Sequence, residues 1–212
     1  MQVLIAGGHG QIAMLLTPML RLRGDDVRSL IRNPDHAADL ESDGGVPVLC
    51  DLERDDVRAH AGGADAIVFA AGAGPGSGPE RKRTVDLGGA VRCVEAARAN
   101  GIRRYVMVST LGADPHASGE GMAVYNRAKG RADAALAASG LDYTILKPGR
   151  LTNDRGTGRV RVGEDVERGA VSREDVAAVI AATLHEPGTV GRSLGVVAGE
   201  DEVQAALASL AA

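Results

Sequence analysis

The sequence predicts an α/β fold in which helices cover both faces of an open, doubly wound parallel sheet. Short runs rich in β-branched residues alternate with longer segments of helical periodicity, which is the pattern of such sheets. Gly101 and Gly140 each end a predicted helix just before a predicted strand, as glycine caps commonly do. A glycine-rich turn at residues 7–10 joins the first strand to the first helix.

The periodicity predicts seven strands, four main helices and three shorter helices. The strands are Gln2–Ala6, Val27–Ile31, Val46–Leu49, Ala66–Ala70, Arg104–Ser109, Tyr143–Lys147 and Leu194–Ala198. The main helices are Gln11–Arg23, Glu80–Asn100, Gly121–Ser139 and Arg173–His185, and the shorter ones are Asp35–Glu41, Arg54–His60 and Glu202–Leu210. At 212 residues, we expect a single domain, residues 1–212, with a small substrate region toward its C-terminus.

Two segments show neither the helical nor the strand pattern and are predicted to be loops. They are GAGPGSGP at residues 72–79 and the polar, glycine-containing segment Thr152–Gly169. Each follows a predicted strand, and ligands of open α/β sheets bind outside the carboxyl ends of strands. We therefore expect both to line a pocket, with residues 149–170 as the substrate-side loop. The alternative is that they are flexible surface loops without a ligand.

Composition narrows the class of partner. The formal net charge is −4, and the basic groups Arg81–Arg83 and Arg103–Arg104 are isolated. The charge distribution therefore gives no electrostatic reason to expect that the protein binds a nucleic acid. Cys50 and Cys93 are far apart and the histidines, at positions 9, 36, 60, 116 and 185, are scattered, so no metal site is predicted. No apolar stretch approaches the ~18 residues that a membrane-spanning helix needs. We expect a reduced, cytoplasmic protein that acts on a small molecule.

The hydrophobic run VLIAGGHGQIAMLL, residues 3–16, breaks at a glycine turn and resumes at helical spacing. Gly7, Gly10 and Ala13 match the pattern Gly-x-x-Gly-x-x-Gly/Ala, whereas Gly8, Gly10 and Ala13 match Gly-x-Gly-x-x-Ala, and both registers remain open. In either register, absent side chains let an anion approach the first N–H groups of the helix, where the helix dipole favours negative charge.

This turn predicts a Rossmann dinucleotide site, because it lies between the first strand and a helix and is followed by a second strand. The alternative is a tight structural turn without a ligand. The residues of the turn that we expect to contact the coenzyme are Gly7, His9, Gly10, Gln11 and Ile12.

The end of the second strand discriminates between coenzymes. A site selective for NAD places Asp or Glu there, whereas the 2′-phosphate of NADP needs a cation. The sequence has Arg32 at this position, and a guanidinium can bind phosphate through two hydrogen bonds. We therefore expect NADP(H) to be preferred over NAD(H), the alternative being that Arg32 is an ordinary surface arginine.

Tyr125 and Lys129 are candidate catalytic residues. Their spacing places them on one face of a predicted helix, roughly 6 Å apart at Cβ. A lysine ammonium so close is expected to lower the pKa of the phenol, which would then protonate a carbonyl oxygen. Ser109 ends the predicted strand at VMVST, where its hydroxyl could donate to the same carbonyl. Alternatively, Ser109 and Thr110 only satisfy backbone groups at the strand end.

Eight segments in this order resemble the short-chain dehydrogenase/reductase superfamily, and more narrowly its atypical NADP-binding group, which includes proteins similar to NAD-dependent epimerases/dehydratases. The segments are GGHGQIA (7–13), IRNP (31–34), CDL (50–52), FAAGAG (69–74), VDLGGA (85–90), VMVST (106–110), YNRAK (125–129) and LKPGRL (146–151).

The resemblance implies further contacts with the coenzyme. Asp51 and Leu52 would flank the adenine, Ala70, Ala71 and Gly72 would line its ribose side, Lys129 would hold the nicotinamide ribose and Pro148 would border the nicotinamide. Catalytic members complete the Ser-Tyr-Lys group with an Asn, and the matching position here is Asp86. Ionised Asp can only accept hydrogen bonds, whereas Asn also donates. The atypical group is similar in carrying Asp there, so Asp86 is either a catalytic or a structural helix residue.

The expected function is that of an NADPH-dependent oxidoreductase that transfers hydride to a small carbonyl or related electrophile. Tyr125 would be the acid, Lys129 the residue that tunes it and Ser109 an orienting donor. A sensor of NADP(H) with little turnover is the first alternative, suggested by Asp86. A flavin or biliverdin reductase is the second alternative, although the single Phe, three Tyr and absent Trp leave few side chains to stack on a planar substrate.

Overall fold

A computed structural model of the protein describes residues 1–74 and 76–211. Its centre is a nine-stranded sheet in the order β11-β8-β10-β6-β5-β4-β1-β2-β3, beside which a second pair, β7 and β9, is formed. The strands are β1 (Gln2–Ala6), β2 (Asp26–Ile31), β3 (Val46–Leu49), β4 (Ala66–Phe69), β5 (Arg104–Val108), β6 (Asp142–Pro148), β7 (Arg150–Thr152), β8 (Arg159–Gly163), β9 (Ala170–Ser172), β10 (Arg192–Ala198) and β11 (Asp201–Glu202).

The seven strands from β10 to β3 are parallel and correspond to the seven predicted from the sequence. Their carboxyl ends therefore meet at one edge of the sheet. β8 runs antiparallel to β10, and β11 runs antiparallel to β8, which extends the sheet beyond its predicted edge.

Helices cover both faces of the sheet, which confirms the predicted doubly wound α/β fold. The helices are α1 (Gln11–Leu22), α2 (Ala37–Ser42), α3 (Arg58–Ala61), α4 (Pro79–Arg81), α5 (Ala90–Ala99), α6 (Met122–Ala137), α7 (Arg173–Thr183) and α8 (Val203–Ala208). Val3 and Ile5 of β1 pack with α1, α7 and α8 in one buried cluster. Leu4 and Ala6 pack with α3, α5 and α6 in the other, because successive side chains of a strand point to opposite faces. Among the described residues, no helix is both long and apolar enough to cross a membrane.

The predicted helix Glu80–Asn100 is not a single regular helix. Between α4 and α5 the chain forms a π-helical segment, Lys82–Gly89, in which Asp86 is buried. Such widened turns are rare and frequently mark functional sites. The predicted helix Arg54–His60 is shorter than expected and occupies only α3.

The prediction that Thr152–Gly169 is irregular was wrong in part, since β8 lies inside it. Residues 159–163 read Arg-Val-Arg-Val-Gly, with Val160 buried and both arginines exposed, which is the alternation of a half-buried strand. The segment is tied to α7, where the Asp175 carboxylate accepts from the N–H groups of Thr157 (3.1 Å) and Gly158 (2.7 Å). In the other predicted loop, residues 72–74 and 76–78 contain neither helix nor strand, and Pro75 lies outside the described residues.

Candidate functional site

The glycine turn after β1 is packed so closely that two of its glycines have no room for a side chain. Gly7 has φ +85°, and a Cβ there would lie 2.6 Å from the Cα of Ala71. A Cβ on Gly8 would collide with the side chain of Ser29 on β2. Gly7 is therefore required for its backbone conformation and its contact with Ala71, whereas Gly8 is required for close contact with β2.

Helix α1 begins with N–H groups that lie at the glycine turn. Its first intrahelical hydrogen bond is from Met14 N to Gly10 O (2.9 Å), so the N–H groups of residues 11–13 precede the first intrahelical donor and have no acceptor within the helix. Gly10, the N-cap residue, has no side chain that could accept from them. Ala13 is fully buried, which lets the helix approach the sheet. This arrangement fits the diphosphate of a dinucleotide, as the sequence predicts.

A cavity of about 250 Å³ adjoins this turn and brings together nine of the predicted coenzyme residues. They are Gly7, His9, Gly10, Arg32, Asp51, Leu52, Ala70, Ala71 and Gly72. Gln11 and Ile12 are not among the residues that line it but begin α1 beside the turn. Ser109, Lys129 and Pro148 also lie outside this lining, farther along the same sheet edge and on α6.

Two charged residues that line the cavity, Glu53 and Arg81, were not predicted. Glu53, which follows β3, accepts a hydrogen bond from Arg81 of α4 (3.0 Å) and another from Thr84 of the π-helical segment. The Thr84 hydrogen bond, followed by the Arg81 charge, holds the pKa of Glu53 below its usual value against the effect of burial. Arg32 is exposed at the cavity and forms no ion pair with the described residues.

Two histidines lie against each other at the same end of the cavity. The His9 ring stacks on that of His36, with centroids 3.6 Å apart, and its Nε2 is 2.8 Å from Asp39 Oδ2. His9 was predicted to contact the coenzyme, whereas His36, which lies four residues after Arg32, was not. Its position just beyond the strand end that carries Arg32 is the signal that could have identified it.

Lys129 is buried below the carboxyl ends of β4 and β5. Its Nζ donates to Val108 O (3.0 Å) and lies 3.5 Å from both Ala71 O and Asp86 Oδ1. Burial lowers the pKa of Lys129, and the nearby carboxylates of Asp86 and Asp133 oppose that shift. The second Asp86 oxygen accepts from Ala73 N (3.2 Å). The Asp86 carboxylate thus links Lys129 to the loop that follows β4.

Tyr125 does not have the lowered pKa that the sequence analysis expected. Burial raises the pKa of Tyr125 to about 12, and the negative charges of Asp86 and Asp133 act in the same direction. Spacing alone suggested that Lys129 would stabilise the tyrosinate. In the structure the Lys129 charge is paired with Asp86, and Lys82 Nζ lies over the Tyr125 ring at 5.0 Å from its centroid.

Ser109 is engaged by a residue that the sequence analysis missed. Its hydroxyl donates to Asp133 Oδ2 (2.9 Å), and the same oxygen lies 3.5 Å from Lys147 Nζ. Asp133 follows Lys129 by four residues on α6, as Lys129 follows Tyr125, so the three side chains share one face of the helix. That spacing could have revealed Asp133, and Lys147 precedes the predicted Pro148 on β6.

Comparison with known proteins agrees with this geometry. Residues 7–187 match the model of a family described as NAD(P)H-binding. An uncharacterized sugar epimerase from Bacillus subtilis (strain 168), YhfK, is 40% identical over 99% of this chain and 100% of its own. A Bacillus halodurans protein named provisionally as an NAD-dependent epimerase/dehydratase is 34% identical, with a TM-score of 0.93 and 99% of each chain covered. The anaerobillin reductase ChuY from Escherichia coli O157:H7 is 25% identical, with a TM-score of 0.79 over 95% of this chain and 99% of its own.

Proposed function

The chain belongs to the NAD(P)H-binding family, and from this membership we propose that it is an NADPH-dependent oxidoreductase acting on a small carbonyl compound or related electrophile. The observation that carries the proposal is that the glycine turn, the cavity and the buried Lys129 all lie at the carboxyl ends of the parallel strands, with Tyr125 one helical turn before Lys129 on α6. Ligands of doubly wound sheets bind at this edge.

The preference for NADPH is supported by the charges at the adenine end of the cavity. Glu53 is engaged by Arg81 and Thr84, whereas Arg32 forms no ion pair with residues 1–74 or 76–211. Its guanidinium is therefore available to bind the 2′-phosphate through charge-assisted hydrogen bonds. No acidic side chain stands in its place to accept from the ribose hydroxyls of NAD.

At the reacting end, the coenzyme when bound supplies the hydride. Because the pKa of Tyr125 is about 12, its hydroxyl remains protonated at neutral pH and would donate a hydrogen bond to the substrate oxygen. Lys129 would hold the nicotinamide ribose, and Asp86 fixes the position of Lys129. Ser109 is the second hydroxyl proposed to face the substrate. Because its proton is donated to Asp133, the state of Asp133 determines whether Ser109 donates or accepts a hydrogen bond.

Two measurements test the proposal. Fluorescence titration with NADPH and NADH is expected to show binding of both, with NADPH the tighter. A screen of small aldehydes, ketones and quinones is then expected to show sustained NADPH oxidation with at least one of them. Absence of binding for both coenzymes at millimolar concentration contradicts the whole proposal.

A sensor of NADP(H) is a second candidate, favoured by the contacts that already occupy the Lys129 ammonium. Lys129 is held by Asp86 and two backbone carbonyls, and burial, Asp86 and Asp133 all raise the pKa of Tyr125. A sensor would bind NADPH tightly, and no acceptor in the screen would cause it to oxidise the NADPH. The same screen therefore separates the two functions, and flavin and biliverdin belong in it because of the similarity to ChuY.

A further inference from the structure

Ser109 has one hydroxyl proton, and the structure shows where that proton is used. Ser109 Oγ donates to Asp133 Oδ2 at 2.9 Å, with the two residues only 3% and 7% exposed. A hydroxyl that donates its proton to a carboxylate can only accept from another group. In this state Ser109 cannot donate to a substrate carbonyl, which is the role that its position at the end of β5 suggested.

Asp133 is itself incompletely satisfied. Its Oδ1 is buried and accepts no hydrogen bond from the described residues. A buried carboxylate oxygen without a donor is costly, and a proton on the carboxyl group relieves that cost. Burial accordingly raises the pKa of Asp133 above its ordinary value, although the Ser109 hydrogen bond and the charges of Lys147 and Lys129 oppose the shift.

The charged groups around Asp133 come from three elements. Lys147 on β6 is 3.5 Å away and 27% exposed, so it connects the buried carboxyl group to solvent. Lys129 and Tyr125 lie on the same face of α6, and Asp86 belongs to the π-helical segment. Lys129 is paired with Asp86, which leaves Lys147 as the cation closest to Asp133.

We propose that Asp133 is a positioning residue whose protonation decides whether Ser109 accepts or donates toward the substrate, and that Asp133 passes a proton through Ser109 to the substrate oxygen. When Asp133 carries a proton, it can donate to Ser109 Oγ, and the serine hydroxyl is then free to donate outward. The part of this inference that concerns reduction rests on the proposed function, whereas the reversal of the Ser109 hydrogen bond does not.

The proton transfers balance. As the carbonyl carbon accepts the hydride with its electron pair, the π electrons move to the carbonyl oxygen, which takes the Ser109 proton. Ser109 Oγ takes the proton of the Asp133 carboxyl group, and the resulting carboxylate is paired with the Lys147 ammonium. Solvent then returns a proton to the Asp133 carboxylate. The products are an alcohol and the oxidised coenzyme, and no further reactant is needed.

The state of Asp133 can be measured without turnover. In protein labelled with ¹³C at the aspartate carboxyl carbons, the resonance that disappears in Asp133→Asn belongs to Asp133. We expect it to titrate above the ordinary value of about 3.9, and Ser109→Ala to raise its pKa further, since the carboxylate loses a donor. Asp142→Asn, which changes a surface carboxylate paired with Arg103, is the control and is expected to leave the Asp133 titration unchanged. A titration at or below the ordinary value, or one insensitive to Ser109→Ala, overturns the proposal.

Turnover provides a second readout, with NADPH and menadione as a quinone probe. We expect kcat to rise as the pH falls through the Asp133 pKa measured by NMR. Asp133→Asn should remove this limb and lower kcat at least about tenfold while leaving NADPH affinity unchanged, and Asp133→Glu should restore the limb. An unchanged pH profile in Asp133→Asn contradicts the proton path. If no variant oxidises NADPH with any acceptor, the proposed function fails and the NMR titration alone decides the hydrogen-bond reversal.

Discussion

Lys129 Nζ and Asp86 Oδ1 lie 3.5 Å apart, and neither side chain is more than 4% exposed. The pair joins α6 to the π-helical segment near the carboxyl ends of β4 and β5. Because both charges are removed from water, each depends on the other, and removing one leaves the second unpaired in the interior.

Lys129→Met is therefore expected to lower the free energy of unfolding by about 3–5 kcal/mol. Adding Asp86→Asn, which removes the orphaned charge but keeps an acceptor for Ala73 N, should recover a large part of the loss. Urea unfolding of the wild type, the two single variants and the double variant measures the coupling. If the four free energies are additive, the two residues do not stabilise each other.

Gly7 should tolerate alanine much less well than Gly24, although the two glycines have nearly the same φ, +85° and +84°. A Cβ on Gly24 meets nothing within 4 Å, so Gly24→Ala is expected to cost only the left-handed strain of roughly 1–2 kcal/mol. Gly7→Ala adds a collision with the Ala71 backbone and should also abolish NADPH binding. Equal losses of stability and intact binding in both variants would show that the turn is not packed as described.

Arg32→Glu is expected to weaken NADPH binding far more than NADH binding. The charge-assisted hydrogen bonds that it removes are worth about 1.5–3 kcal/mol, which corresponds to at least about a tenfold change in Kd for NADPH. Arg23→Glu, with the same charge change at the exposed end of α1, is the matched control for net charge. Fluorescence titration of both variants with both coenzymes checks this, and equal losses for the two coenzymes would remove Arg32 as the selective residue.

Tyr125→Phe should reduce turnover by about 10²-fold, the usual effect of losing one donor to developing negative charge, with NADPH affinity unchanged. Since the pKa of Tyr125 is about 12, the variant should keep the same pH dependence of kcat below pH 10. Tyr143→Phe, at the opposite end of β6, is the control and should have wild-type turnover. Full activity in Tyr125→Phe would show that this hydroxyl does not contact the substrate.

The parts of the molecule that were predictable from the sequence are those governed by local patterns. The seven parallel strands and α1 follow from the hydrophobic periodicity of consecutive residues. The glycine turn follows from the backbone conformations that only glycine adopts readily. β1 and β3 have the predicted boundaries. β8 was missed because it is a short strand with one fully buried valine, and its polar, glycine-containing segment therefore resembled a loop.

The chemistry of the site was less predictable, because it depends on contacts between residues distant in the chain. The spacing of Tyr125 and Lys129 was sufficient to place them on one helix face. It did not reveal that Lys129 is paired with Asp86, which lies 43 residues earlier in the chain. The Ser109 hydrogen bond to Asp133 likewise spans 24 residues. Burial then raised the pKa of Tyr125 where proximity to a lysine suggested the reverse.

The π-helical segment has a consequence for how this site could be inactivated. A widened turn accommodates one residue more than a regular helical turn of 3.6 residues. Deleting a single residue between Lys82 and Asp86 would let the helix relax to its ordinary pitch and rotate the aspartate by roughly 100°, away from Lys129. Loss of one residue in this stretch would thus break the Lys129–Asp86 pair while leaving the glycine turn after β1 unchanged.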